Sequence, residues 1–172
     1  MSNVYLIGMP GSGKTTLGRL VAAQLGRQFV DLDAVIEEQT GKTISAIFAD
    51  VGESGFRQKE SVALTMLARQ EGLLVATGGG IAVKPENIMC MKKSGLVIFL
   101  HRPLRDILAD IAAEKRPLLQ GDAQQALRLL YQKRLALYEK ACHACFINQA
   151  SPTEDCEMLC RLIQAEEAKI RN

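Results

Sequence analysis

The sequence predicts an α/β protein, a five-stranded parallel sheet with helices on both faces. Three observations carry that reading. Short apolar runs alternate with amphipathic stretches along the whole chain. A glycine-rich turn stands between the first apolar run and the first amphipathic stretch, where a strand feeds a helix. Finally, 172 residues at 48% hydrophobic and 23% charged have the length and balance of one folded domain.

Taken in order, the runs at residues 4–7, 29–32, 73–76, 96–100 and 145–147 read as short strands buried on both faces. The stretches 14–25, 53–69, 85–93, 104–113, 123–141 and 153–170 read as helices with one apolar face. Such alternation implies right-handed crossovers. Two segments fit poorly. The polar stretch 33–54 makes the second crossover too long, and 115–122, with Arg116, Pro117 and Gly121, reads as a loop. Insertions at one end of an α/β sheet are where function tends to sit.

Charge excludes some partners. With 21 basic and 19 acidic residues the net charge is +2, which gives no electrostatic reason to expect nucleic acid or an acidic membrane surface. No apolar run approaches the ~18 residues of a membrane span. Residues 8–13 interrupt any leader-like N-terminus, so a cytoplasmic location is expected. Five cysteines, an odd number, suit a reducing compartment. Cys142 and Cys145 flank His143, and Cys156 and Cys160 are four apart, so a zinc site is imaginable. Their apolar and helical settings favour small buried or half-buried thiols instead.

The strongest chemical signal is Gly8-Met9-Pro10-Gly11-Ser12-Gly13-Lys14-Thr15, which matches G-x-x-x-x-G-K-[ST] with an apolar run before it and a helical stretch after. Its glycines let backbone N–H groups converge on phosphate oxygens at a helix N-terminus. Lys14 would reach the β- and γ-phosphates, and the Thr15 hydroxyl would ligate Mg²⁺. This is a nucleoside triphosphate site.

Asp31 and Asp33 close the second strand run, and residues two apart in a strand share a side. One carboxylate can serve the metal and the other an acceptor hydroxyl. A helix N-cap at Asp33 is an equal reading. Thr77-Gly78-Gly79-Gly80 follows the third run, where bare backbone permits close approach of a ligand, or simply forms a loose turn. At about 100° per residue, Arg134 falls inside a stripe of Leu127, Leu130, Tyr131 and Tyr138. On the helix from Glu53, Glu60 lies in the apolar stripe and Arg57 at its edge. A guanidinium so placed either snorkels or meets an anion, and two forks from different helices suit a carboxylate.

The ordered series GMPGSGKTT, DLD, GFRQKE, TGGG, KRPLL and KRLALY resembles the shikimate kinase family over essentially the whole chain. The resemblance implies strand order 2-3-1-4-5, a helical substrate-binding subdomain at about 33–61 and a lid at about 111–123. It implies ATP-dependent phosphorylation of the shikimate 3-hydroxyl, in aromatic amino-acid biosynthesis. It further implies that Gly11, Ser12, Gly13, Lys14, Thr15 and Thr16 hold ATP phosphates, with Thr15 on Mg²⁺ and Asp31 in the metal's outer shell. Asp33 would bind the shikimate hydroxyls, Arg57 and Arg134 its carboxylate, and Gly79 the substrate through its backbone. Arg116 would close over ATP from the lid, making Lys14, Asp33 and Arg116 the catalytic set, and a monomer is expected. One departure stands out: many members carry an adenine-stacking arginine before the lid, where this chain reads Leu108-Ala109-Asp110-Ile111. Base contacts near Ser151 and Pro152 are expected in its place. Gluconate kinases and nucleotide monophosphate kinases are the nearest rivals; a GTP switch would want N-K-x-D, which does not occur in the sequence.

Overall fold

Every residue from Asn3 to Ile7 is buried, so the first strand must lie inside the sheet with both faces covered. The computed structural model describes residues 1–113 and 120–171. It places β1 (Asn3–Ile7) at the centre of a five-stranded parallel sheet with β2 (Gln28–Asp31), β3 (Leu73–Ala76), β4 (Gly95–His101) and β5 (Ala144–Ile147) in the order β2-β3-β1-β4-β5. That is the order the resemblance implies. Tyr5 stands between Val75 and Val97, and alternate residues sort into two cores. Tyr5, Ile7, Val75, Val97 and Phe99 pack on one side. Val4, Leu6, Leu74, Leu96 and Ile98 pack on the other, beneath α1 (Lys14–Leu25) and α7 (Pro152–Arg171). The remaining helices are α2 (Leu32–Thr40), α3 (Ile44–Leu67), α4 (Pro85–Ser94), α5 (Leu104–Ala113) and α6 (Gln120–Ala141), with one 3₁₀ turn at Ile81–Val83.

The polar stretch 33–54, too long for a simple crossover, is accounted for by α2 and the first part of α3. Asp31 caps α2 by accepting the Asp33 N–H at 3.1 Å, and Gly41 closes the helix at φ 64°. Thr43 then caps α3, accepting the Ala46 N–H at 3.2 Å. The helix expected from Glu53 is the second half of α3, which breaks at Gly52 (φ 68°, ψ −176°). Leu32 accordingly belongs to α2 rather than to the second strand, so the pairing of Asp31 and Asp33 does not arise from strand alternation. The N-cap is Asp31, not Asp33.

All five cysteines are free, and Cys145 is exposed rather than buried or half-buried because β5 is an edge strand. That edge is fastened through His143, whose Nδ1 accepts the Val97 N–H at 2.9 Å while its own N–H donates to the Val97 carbonyl at 2.8 Å. Among the described residues no three His, Cys, Asp or Glu side chains converge as a metal cluster, and no helix is long and apolar enough to cross a membrane.

Candidate active site

From β1 the chain turns to one side of the sheet for β2 and β3, then crosses to the other for β4 and β5. A crevice therefore opens over the C-terminal end of β1, the place where such sheets bind ligands. The glycine-rich turn fills it. Gly11 (φ 77°) and Gly13 (φ 89°) both take the left-handed conformation, and Gly13 leads directly into α1. Lys14 is folded back over the loop, its Nζ donating to the carbonyls of Gly8 at 2.8 Å and Met9 at 2.7 Å. Burial holds its ammonium down to about 8, against the pull of Asp33 and Asp31. A buried cation beside a nest of N–H groups calls for an anion.

Next to it, the Thr15 hydroxyl donates to Asp31 Oδ2 at 2.8 Å. These residues, with Pro10, Asp33 and Gly79, line a cavity of about 360 Å³. Asp33 reaches it because the cap at Asp31 turns the first turn of α2 over the sheet end. Burial and the neighbouring Asp31 push the Asp33 carboxyl above its ordinary range, with Lys14 and Arg57 opposing. Its Oδ1 is buried without a partner.

The acceptor side is built on α3 and α6. Arg57 is 9% exposed and its Nη1 donates to Glu60 Oε2 at 3.0 Å, while Nη2 reaches Glu53 at 3.3 Å. Glu60 is fully buried, and its second oxygen has no partner. The row Gly78, Gly79 and Gly80 is pressed by side chains of the site. A Cβ on Gly80 would land on the Arg57 guanidinium, and one on Gly78 would lie 2.7 Å from Glu60 Oε1 and 3.1 Å from Asp33 Oδ1. The close approach expected of a ligand here is at least an approach of protein carboxylates and guanidinium. Arg134 is half-buried, and its Nη1 would lie 3.4 Å from a Cβ on Gly79. Tyr138, fully buried on the same helix, donates its hydroxyl to the Gly79 carbonyl. Buried polar atoms left unpaired in native proteins need an explanation, and a polyhydroxylated ligand supplies one.

On the other side of the loop, a cleft of about 820 Å³ is lined by Gly13, Thr16, Arg102, Arg105, Asn148 and Pro152, among others. Pro152 lies where base contacts were expected. Its neighbours Ala150 and Gln149 line the cleft too, and the Ser151 hydroxyl donates to Glu154 at 2.6 Å at the start of α7.

The fold thus gathers Lys14, Thr15, Thr16, Asp31, Asp33 and Gly79 around one cavity and sets Arg57 and Arg134 against the glycine row. Arg116 lies outside the described residues. Glu60 was legible only as a charge inside an apolar stripe; its i, i+3 spacing from Arg57 was the available signal. Tyr138 read as apolar filling, because nothing in a sequence marks where a phenol hydroxyl points.

Residues 10–164 match the family model for shikimate kinase. A shikimate kinase of Clostridium botulinum (strain Alaska E43 / Type E3) is 41% identical over 162 residues, spanning 94% of this chain and 97% of that protein. One of Psychrobacter cryohalolentis is 46% identical over 145 residues, 83% of this chain and 78% of that one. Among solved structures, the shikimate kinase of Acinetobacter baumannii in complex with shikimate superposes with a TM-score of 0.87 at 39% identity, covering 96% of this chain and 94% of that one. With residues 10–164 matching the family model and relatives of 41 to 46% identity over most of the chain, this chain belongs to the shikimate kinase family.

Proposed function

We propose that the protein transfers the γ-phosphate of ATP to the 3-hydroxyl of shikimate, giving shikimate 3-phosphate and ADP in aromatic amino-acid (chorismate) biosynthesis. The observation that carries the substrate is that Asp33, Arg134 and Arg57 press in turn on Gly78, Gly79 and Gly80, a carboxylate at one end of the row and two guanidiniums toward the other. A carboxylate at one end and a hydroxyl at the other match that spacing of charges. Gly79 contacts the ring through its backbone. In the transfer, the 3-oxygen bonds to the γ-phosphorus as the bond to the β,γ-bridging oxygen breaks. Asp33 takes the hydroxyl proton, a role suited to a carboxyl held above its ordinary range.

The loop N–H groups of Gly11, Ser12 and Gly13 hold the phosphates, joined by Lys14, Thr15 and Thr16. Lys14 covers charge on the oxygens being transferred. The hydroxyl and carboxylate of Thr15 and Asp31, 2.8 Å apart, are the hard oxygen donors that Mg²⁺ prefers, and these two would hold it. Bound there, Mg²⁺ neutralises phosphate charge. Residues 33–61 act as the substrate-binding subdomain and 111–123 as the lid, from which Arg116 closes over ATP and excludes water. The enzyme works as a monomer, since one chain supplies every assigned residue, and in the cytoplasm, which suits five free thiols.

A coupled ADP-release assay with shikimate, quinate, gluconate and AMP as acceptors tests this reading. Turnover is expected with shikimate and far less with the rest; equal or better turnover with gluconate or AMP overturns it.

Arg134→Lys keeps a charge but loses the planar fork. Shikimate KM should rise by about ten- to a hundred-fold while the thermal midpoint holds. A snorkelling arginine predicts the opposite, lost stability with an unchanged KM. An unchanged KM in both Arg134→Lys and Arg134→Met removes it from the site.

A further inference from the structure

The phosphate loop is gripped from its outer side by two residues that no motif marks. Arg102, one residue past β4, donates from Nη1 to the Gly11 carbonyl at 3.1 Å. Asn148, one residue past β5, donates from Nδ2 to the Ser12 carbonyl at 2.8 Å. Both donors are themselves fixed. The Arg102 guanidinium pairs with Asp110 at 2.6 Å, and the Asn148 backbone N–H donates to the His101 carbonyl at 2.8 Å. The Asn148 amide sits so close that a Cβ on Gly13 would fall 2.6 Å from Nδ2.

A nest binds anions because successive N–H groups converge on one side while the carbonyls turn outward. Gly11 and Gly13 set that geometry, but an outward carbonyl still needs a donor. Without one, the peptide can rotate and present a carbonyl oxygen where an N–H should meet phosphate. Lys14 holds the carbonyls of Gly8 and Met9. Two further loop carbonyls, those of Gly11 and Ser12, are met by Arg102 and Asn148.

We propose that Arg102 and Asn148 are positioning residues for nucleotide, pinning the Gly11 and Ser12 carbonyls outward so that the loop N–H groups stay aimed at the β-phosphate. They act through the loop and touch no reacting atom. This inference rests on the reading of the loop as an ATP site.

The test is calorimetric binding of ATP and of ADP to the wild type and to Arg102→Ala, Arg102→Lys, Asn148→Ala and Asn148→Asp, with shikimate titrated alone and thermal midpoints taken alongside. Arg102→Ala and Asn148→Ala should each weaken ATP and ADP by the same factor, about five- to tenfold. Shikimate affinity and the midpoint should hold. Arg102→Lys, which keeps a donor, should recover most of the loss, whereas Asn148→Asp, which has none, should be at least as weak as Asn148→Ala. Nucleotide affinities unchanged in both alanine variants overturn the proposal. So does a loss confined to ATP, which means direct contact with the γ-phosphate, and so does a parallel fall in shikimate affinity, which means general damage. A wild type that binds neither nucleotide sinks the ATP reading itself; a binding wild type with unaffected variants sinks only this one.

Discussion

Lys14→Ala abolishes turnover while leaving the fold standing. Among the described residues, the ammonium seated in the loop is tied to the carbonyls of Gly8 and Met9 and, at 3.4 Å, to the Ser12 hydroxyl. Burial already holds it down to about 8, so the fold gains little from keeping a charge there. In the proposed reaction it would stabilise charge on the phosphoryl oxygens. Losing a group of that kind costs about 10³-fold or more in kcat. The same change takes a donor from the Gly8 and Met9 carbonyls and an opposing charge from Asp33, so the thermal midpoint should fall by several degrees while the chain still folds. Single-turnover ADP release at saturating ATP checks it. Residual kcat within tenfold of wild type would remove Lys14 from the chemistry.

The parts of this site that a reader could find in the sequence are those whose chemistry constrains residue spacing. A phosphate nest needs glycines, a lysine and a hydroxyl at fixed offsets, so residues 8–15 announced themselves. The inner strands β1, β3 and β4 are buried almost throughout and so read as apolar runs. The edge strands β2 and β5, expected to be buried on both faces, are partly exposed, yet all five strands were visible to within two residues. The helices α2 and the first half of α3 were not, because only a few residues, such as Ile36 and Ile47, face the core while others, such as Phe48 and Val51, lie exposed, so no clean apolar stripe marks them. Their caps at Asp31 and Thr43 were the signals, and the strand was read one residue past the first, through Leu32. That error left the aspartate pair in the right crevice for a wrong reason: the cap, not strand alternation, turns Asp33 toward Asp31. Arg134 stood out as a charge inside an apolar stripe, which either snorkels or meets an anion, and it lies half-buried against Gly79. Arg102 and Asn148 were invisible, since each works by donating to a backbone carbonyl, and any of several residue types could do that from a loop.

Asp33→Asn separates acceptor chemistry from nucleotide binding. The amide keeps the size of the carboxylate, and the backbone N–H of residue 33 stays on Asp31, so the cap of α2 survives. What is lost is the ability to take a proton from the attacking hydroxyl. General-base catalysis contributes about 10²- to 10⁴-fold, and kcat should fall within that range. ATP affinity should persist, because the partner of the Thr15 hydroxyl is Asp31 rather than Asp33. The effect on stability has a definite sign. A carboxyl whose folded pKa is raised is one whose ionised form the fold disfavours at neutral pH, chiefly through burial and the charge of Asp31. A neutral isostere relieves that penalty, so the thermal midpoint should hold or rise even as the rate collapses, the pattern of a residue kept for function against stability. Measuring kcat, the ATP and shikimate dissociation constants and the midpoint on one preparation decides it. Should Asp33→Asn lose ATP and keep shikimate, the two aspartates have their roles reversed. Should kcat stay within threefold of wild type, the proton leaves by a route that does not involve Asp33.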